Sequence, residues 1–175
     1  AGVETADLSR GMVLTQPGMG RPTRRISVKL DLLRSAKPLR DRARVHFHVF
    51  TAETIAEVSL LGAKQLQPGE SGFARLKLDE PAMLLPGDRF IIRQFSPVIT
   101  IGGGRVLDAA EEPRRTKAAE RLAFLQAIAE GNAETSLIAR VARRARNGLS
   151  ISHAVGEVGL PPAKAETLAA DLVKA

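Results

Sequence analysis

The sequence contains no cysteine, no tryptophan and no tyrosine; its only aromatic side chains are six phenylalanines. Without cysteine there is no disulfide, no thiolate nucleophile and no cysteine-ligated zinc. Aromatics at 3% leave too few rings for a base-stacking platform built from Tyr and Trp. No stretch approaches the roughly 18 consecutive apolar residues of a membrane span, and the opening AGVETADLSRG lacks the zones of a signal peptide. The chain is expected to be soluble and cytoplasmic, with no membrane partner. What is present is ordinary for a globular chain: 175 residues, 44% hydrophobic and 26% charged, enough for one domain or two.

Charge is the first departure from the ordinary. Lys and Arg number 26 against 19 acidic residues, a formal net charge of +7. The excess sits in two blocks. Residues 21–44 hold nine basic and two acidic side chains, and residues 113–146 hold eight and three. Residues 45–112 between them are acidic, with six basic against nine acidic. Two solvated basic surfaces or two contacts with a polyanion both account for this distribution.

Hydrophobic periodicity divides the chain. From residue 24 to 108 the apolar residues alternate as in strands. Ile26, Val28, Leu30 and Leu32 share one face, as do Val45, Phe47 and Val49, then Ala56, Val58 and Leu60, then Ala74, Leu76 and Leu78. RFIIRQF is apolar on both faces, as in a strand covered on two sides. VITIGGGRVLDA places three glycines inside strand-like sequence, a sign of a bulge or a close backbone approach. Turn signals at Pro38, Pro68–Gly72 and Pro86–Asp88 separate the runs. Six short strands without helices between them predict a small antiparallel barrel or sandwich.

At Pro113 the period becomes helical. Ala118, Leu122, Leu125 and Ala129 mark a first helix closed by Gly131-Asn132, and Leu137, Ile138, Val141 and Ala145 a second that runs to Gly148. A third starts at Ser150 or Ser152 and ends at Gly159; a fourth follows Pro161 and carries Leu168, Leu172 and Val173. The tight GLP turn joins the last two as a helix-turn-helix. Ser9–Gly18 reads as one short strand, the tail of a preceding domain, so the chain reads as a fragment.

Catalytic and metal motifs are scarce. The glycines at 102–104 are followed by strand-like RVLD where a phosphate cradle needs a helix, and no GxxxxGK[ST] occurs. His46 and His48 lie two apart on one strand face, with Asp41 and Glu53 near in sequence; an exposed polar face explains the pair more simply than a metal site. His153 reads as a polar position on a short helix. No GxSxG elbow or carboxylate pair appears, so no enzyme is expected and no metal. Arg40, Arg42 and Arg44 alternate with Leu39, Asp41 and Ala43, which predicts a shared strand face suited to a phosphate backbone or, equally, to blocking edge pairing. Arg140, Arg143 and Arg144, three or four apart, share a face of the second helix and read as a surface for RNA without sequence readout.

GDRFIIRQFSPVITIGGGRVLD (Gly87–Asp108) closely resembles the end of the third domain of bacterial selenocysteine-specific translation elongation factors. It is similar, more loosely, to the same region of elongation factor Tu; Gly87, Arg89, Phe90, Arg93, Thr100, Gly102 and Gly104 fit both. HVFTAETIAEVSLL resembles the family's His-x-Gly-Thr-Ala-Glu stretch, PGESGFARLKLDEP its next hairpin, and SRGMVL the last strand of its second domain. Phe50 stands where the family usually has Gly, and Met12 where it often has Asp.

The resemblance implies a mainly β plus α fold: a six-stranded antiparallel β-barrel like domain 3 of elongation factor Tu, then a helical winged-helix-like domain whose wing is missing. The implied division is 1–22, the tail of a preceding barrel; 23–112, the barrel; and 113–175, the winged-helix region. It implies selenocysteyl-tRNA and the ribosome as partners, an mRNA recoding hairpin read by later winged helices, and a monomer. GTP and Mg belong to a GTPase domain elsewhere in the factor, with no cofactor in these residues. By position, Arg42, Arg44, Arg93 and Gln94 are the tRNA-facing candidates. The alternative is a basic winged-helix DNA-binding regulator with a β-barrel sensor; against it, residues 161–175 set only Lys164 and Lys174 against Glu166 and Asp171.

Overall fold

Period-two alternation produces eight strands in a computed structural model that describes residues 2, 4–15, 21–110 and 116–174. They are β1 (Thr23–Leu32), β2 (Leu39–Arg40), β3 (Arg44–Val49), β4 (Ala52–Leu61), β5 (Gln65–Leu66), β6 (Ser71–Ala82), β7 (Arg89–Arg93) and β8 (Thr100–Asp108). Six of them close an antiparallel barrel in the order β1-β6-β4-β3-β7-β8, with β8 pairing back onto β1. The sequence-based barrel is therefore the observed one. β2 and β5 form a separate two-stranded ribbon that puts Leu39 and Leu66 into the barrel core.

The inward residues read from the sequence pack as expected. Val28, Leu30, Phe47, Ala56, Val58, Ala74, Leu76 and Ile92 are fully buried, and Leu60 packs against them partly exposed. β7 departs from the reading. Only Phe90 and Ile92 face the core, while Ile91 points outward and is 46% exposed, because among the described residues no second layer covers that wall. The two-residue loop Phe50–Thr51 joins β3 to β4, and Phe50 takes a left-handed φ of 51° there. That conformation explains why glycine suits this position.

The three glycines serve close approach. A Cβ on Gly102 would lie 2.5 Å from Asp31 O, one on Gly103 2.6 Å from Phe90 O, and one on Gly104 would overlap Lys29 O. β8 also bulges twice. Ile101 is extra opposite β7, and Leu107 is extra opposite β1. The second bulge turns Leu107 to the outer wall and re-aims Asp108.

Four helices follow: α1 (Ala118–Glu130), α2 (Ala133–Arg144), α3 (Ile151–Val158) and α4 (Pro162–Lys174). Their caps are legible. Asn132 Oδ1 accepts the Thr135 N–H at 2.9 Å, and Ser150 caps α3 by accepting from His153 N–H. Gly159, at φ 74°, makes the turn into α4, which opens on Pro162. α1 seats Leu125 and Ile128 on Leu107, with Leu61 and Phe73 beside them, so the helices lie on the outer wall of the barrel.

Two expectations need correction. α2 buries Leu137 and Arg140, while Ile138 and Val141 face solvent; its inner face is set by an ion pair, not by the apolar stripe. Within Ser9–Gly18, residues 9–15 form a turn and irregular chain with no sheet partner, and residues 16–18 lie outside the described residues. Arg10 Nε instead donates to Thr51 O at 3.0 Å. No helix among the described residues is long and apolar enough to cross a membrane.

Candidate nucleic-acid interface

Antiparallel order decides which loops meet. The segments 33–43, 62–70 and 94–99 follow β1, β4 and β7 and all open at one end of the barrel. The segments 50–51 and 83–88, and residues 109–110 after β8, open at the other. The first end gathers Arg34, Lys37, Arg40, Arg42, Lys64 and Arg93, six cations that lack a carboxylate within ion-pair distance among the described residues. The nearby acids are spent on main-chain donors. Asp41 Oδ1 accepts the Leu60 N–H at 2.8 Å, and Glu70 Oε2 the Gln67 N–H at 2.7 Å.

The arginines of the first block do not share a strand face. Arg40 ends β2, the chain turns at Asp41–Arg42, and Arg44 opens β3. Arg42 sits at φ 62°, held there by its own N–H on Val58 O at 2.7 Å. A non-glycine residue in that region stores strain of about 1–2 kcal/mol. The turn leaves the Arg42 side chain exposed, whereas Arg44 Nη2 is bound to Asp79 Oδ2 at 2.6 Å and lies opposite Glu57.

Arg93 and Gln94 are brought together, but both brace their own loop. Arg93 Nη2 donates to Val98 O at 2.9 Å, its Nε is buried without a hydrogen-bond partner, and Gln94 Nε2 donates to Ser96 O at 3.1 Å. The loop presents Phe95, Val98 and Ile99 to solvent.

The α2 arginines are elsewhere and are mostly buried. Arg140 is 1% exposed; its Nη1 meets Asp108 Oδ1 at 2.7 Å and its Nη2 donates to Leu107 O at 2.8 Å. Arg143 Nη1 reaches Asp108 Oδ2 at 2.6 Å, with its guanidinium 4.1 Å from the Phe124 ring centroid. Arg144 makes two hydrogen bonds to Glu157. The expectation that these three form an RNA-facing surface is corrected: their charge is directed into the protein. Their counter-ions were not legible locally, since Asp108 lies 32 residues before Arg140 and Glu157 lies 13 after Arg144.

His46 and His48 both turn their Nδ1 toward Glu53, at 3.2 and 3.8 Å, and the His46 ring stacks obliquely on Phe95. No group of three or more His, Cys, Asp or Glu side chains among the described residues is arranged to hold a metal ion. His153 serves the Ser150 cap.

The β-barrel domain profile of selenocysteine-specific elongation factors matches residues 23–113, more than half of the chain. The chain belongs to the selenocysteine-specific elongation factor family. It is 34% identical over 154 residues to the selenocysteine-specific elongation factor of Desulfomicrobium baculatum, covering 86% of this chain and 24% of that protein. To the Haemophilus influenzae factor it is 30% identical over 129 residues, 74% of this chain and 20% of that one. A crystal structure of a bacterial selenocysteine-specific elongation factor superposes with a TM-score of 0.69 at 19% identity, over 91% of this chain and 24% of that chain, a likeness of fold. The chain thus spans about a quarter of the length of these family members.

Proposed function

We propose that this part of a selenocysteine-specific elongation factor contributes to holding selenocysteyl-tRNA, through the loop end of its barrel, and joins that end to the region that reads the mRNA hairpin. The observation that carries the reading is the gathering of Arg34, Lys37, Arg40, Arg42, Lys64 and Arg93 on three loops at one barrel end, free of carboxylate partners among the described residues. Guanidinium and ammonium groups placed this way suit a phosphate backbone and carry no base readout. Arg42 is the strongest of the tRNA-facing candidates, Arg93 and Gln94 shape the neighbouring loop, and Arg44 is tied to Asp79.

GTP and Mg chemistry is assigned to the rest of the factor, and this chain contributes no hydrolytic step. The helical region serves as a spacer in this reading, acting in the cytoplasm with the ribosome as the wider partner. α4 balances Lys164 and Lys174 against Glu166 and Asp171, which speaks against a DNA-reading helix.

The test is a titration of the chain with selenocysteine tRNA, serine tRNA and duplex DNA. The expected result is tightest binding to selenocysteine tRNA. Replacing Arg34, Lys37, Arg40 and Lys64 with Gln should flatten the log–log salt dependence by about 0.7–0.9 per lost phosphate contact. Equal affinity for all three nucleic acids, or an unchanged slope in the variant, would overturn the reading.

A further inference from the structure

The helical block meets the barrel through two kinds of contact. One is the apolar seat of Leu125 and Ile128 on Leu107. Apolar burial is non-directional, so such a seat holds a helix against a wall without fixing its angle. The other contact is directional. Asp108, 2% exposed at the end of β8, gives one carboxylate oxygen to Arg140 and the other to Arg143. Arg140 also donates to the Leu107 carbonyl and, through Nε, to Ser136 Oγ at 3.3 Å. Glu157 on α3 engages Arg144 and lies 3.7 Å from Arg140 and 3.9 Å from Arg143. Phe124 on α1 closes the group from beneath the Arg143 guanidinium.

We infer that Asp108, Arg140, Arg143 and Glu157 form a buried ionic lock that sets the angle between the barrel and the helical block. Three facts favour a role in orientation over one in stability. Buried ion pairs gain little over apolar side chains of equal volume, because desolvation offsets their attraction. Guanidinium forks demand a fixed geometry that apolar contacts do not. The lock also ties β8, α2 and α3 together, with Phe124 of α1 packed against it, so rotation of α2 against the barrel breaks several bonds at once. β8 begins at Thr100, directly after the 94–99 loop of the basic end, and finishes at Asp108. One strand therefore connects the cationic end to the lock. The inference stands whichever nucleic acid that end receives.

The absence of cysteine allows a clean test. Ser35→Cys and Ala170→Cys, both exposed, would carry spin labels on the barrel's loop end and on α4, with the distance distribution read by double electron–electron resonance. The parent chain should give one narrow distribution, unchanged in 1 M salt because buried pairs are poorly screened. The variant Asp108→Leu, Arg140→Met, Arg143→Met leaves the Arg144–Glu157 pair intact and replaces the lock with apolar volume. It should keep its urea midpoint yet broaden the distribution at least twofold. Arg143→Met alone, which leaves Arg140 on Asp108, should broaden it by less and covers the case in which the triple variant does not fold. A broad distribution in the parent, or a width unchanged in both variants, would overturn the lock.

Discussion

Replacing Gly104 with alanine adds one methyl group at the tightest point of the barrel. Gly104 stands opposite Leu30 on β1 and Phe90 on β7. Its added Cβ would overlap Lys29 O and lie 3.0 Å from Phe90 Cζ. The first obstacle is backbone, so β8 must move away from β1 and strain the ladder. The second is a ring 3% exposed that packs 5.1 Å from the Phe47 ring, and turning it disrupts that pair. Overpacking of this kind costs about 1–3 kcal/mol, and the aromatic pair contributes about 0.5–1.5 kcal/mol more. Alanine's smaller loss of chain entropy returns about 0.5–1 kcal/mol. The net expectation centres on a loss of about 2 kcal/mol, or roughly 4–8 °C in Tm for a chain of this size. With no tryptophan or tyrosine to report fluorescence, far-ultraviolet circular dichroism is the probe. Adding Phe90→Leu should not restore the loss, because the Lys29 carbonyl remains. A Tm within 1–2 °C of the parent, roughly under half a kcal/mol, would refute the steric reading of the glycine strand, and rescue by Phe90→Leu would place the clash on the ring instead.

The other predictions concern charge and strain. Arg42→Gly should raise stability by up to about 1 kcal/mol through relief of its left-handed backbone, while weakening RNA binding and lowering its salt slope by about 0.7–0.9; a variant that is both less stable and equally tight would contradict this. Arg44→Gln should change stability by less than about 1 kcal/mol and leave the salt slope alone, since its exposed partner is Asp79; a slope change matching that of Arg42→Gly would return Arg44 to the interface. Burial raises the pKa of Asp88, partly offset by the Leu85 N–H it accepts, so the fold favours its protonated form. Its contribution to stability is present at acid pH and is lost as pH rises from the ordinary carboxylate range through the raised value. Asp88→Asn keeps an acceptor for Leu85, so urea titrations should find it gaining on the parent from pH 3.5 to pH 7; a constant difference would show that the burial carries no penalty.

Sequence by itself determined the barrel and the four helices. Alternation in RISVKLDLL, VHFHVF and GFARLKLDE assigns inward faces because a strand's side chains repeat every two residues whatever lies beyond it. Asn132, Ser150 and Gly159 mark helix ends through bonds to residues no more than four away. The tertiary structure decided the rest. Arg40, Arg42 and Arg44 look like one face until the Asp41–Arg42 turn separates them, and Lys64 joins them only because barrel order brings a second loop to the same end. Arg140 looks like a surface cation on a helix whose apolar stripe is Ile138 and Val141. It is buried because a bulge at Leu107 aims Asp108 at it from 32 residues earlier. Local pattern encodes periodicity and caps, whereas a charge is fixed as surface or core by a counter-ion that the fold alone delivers.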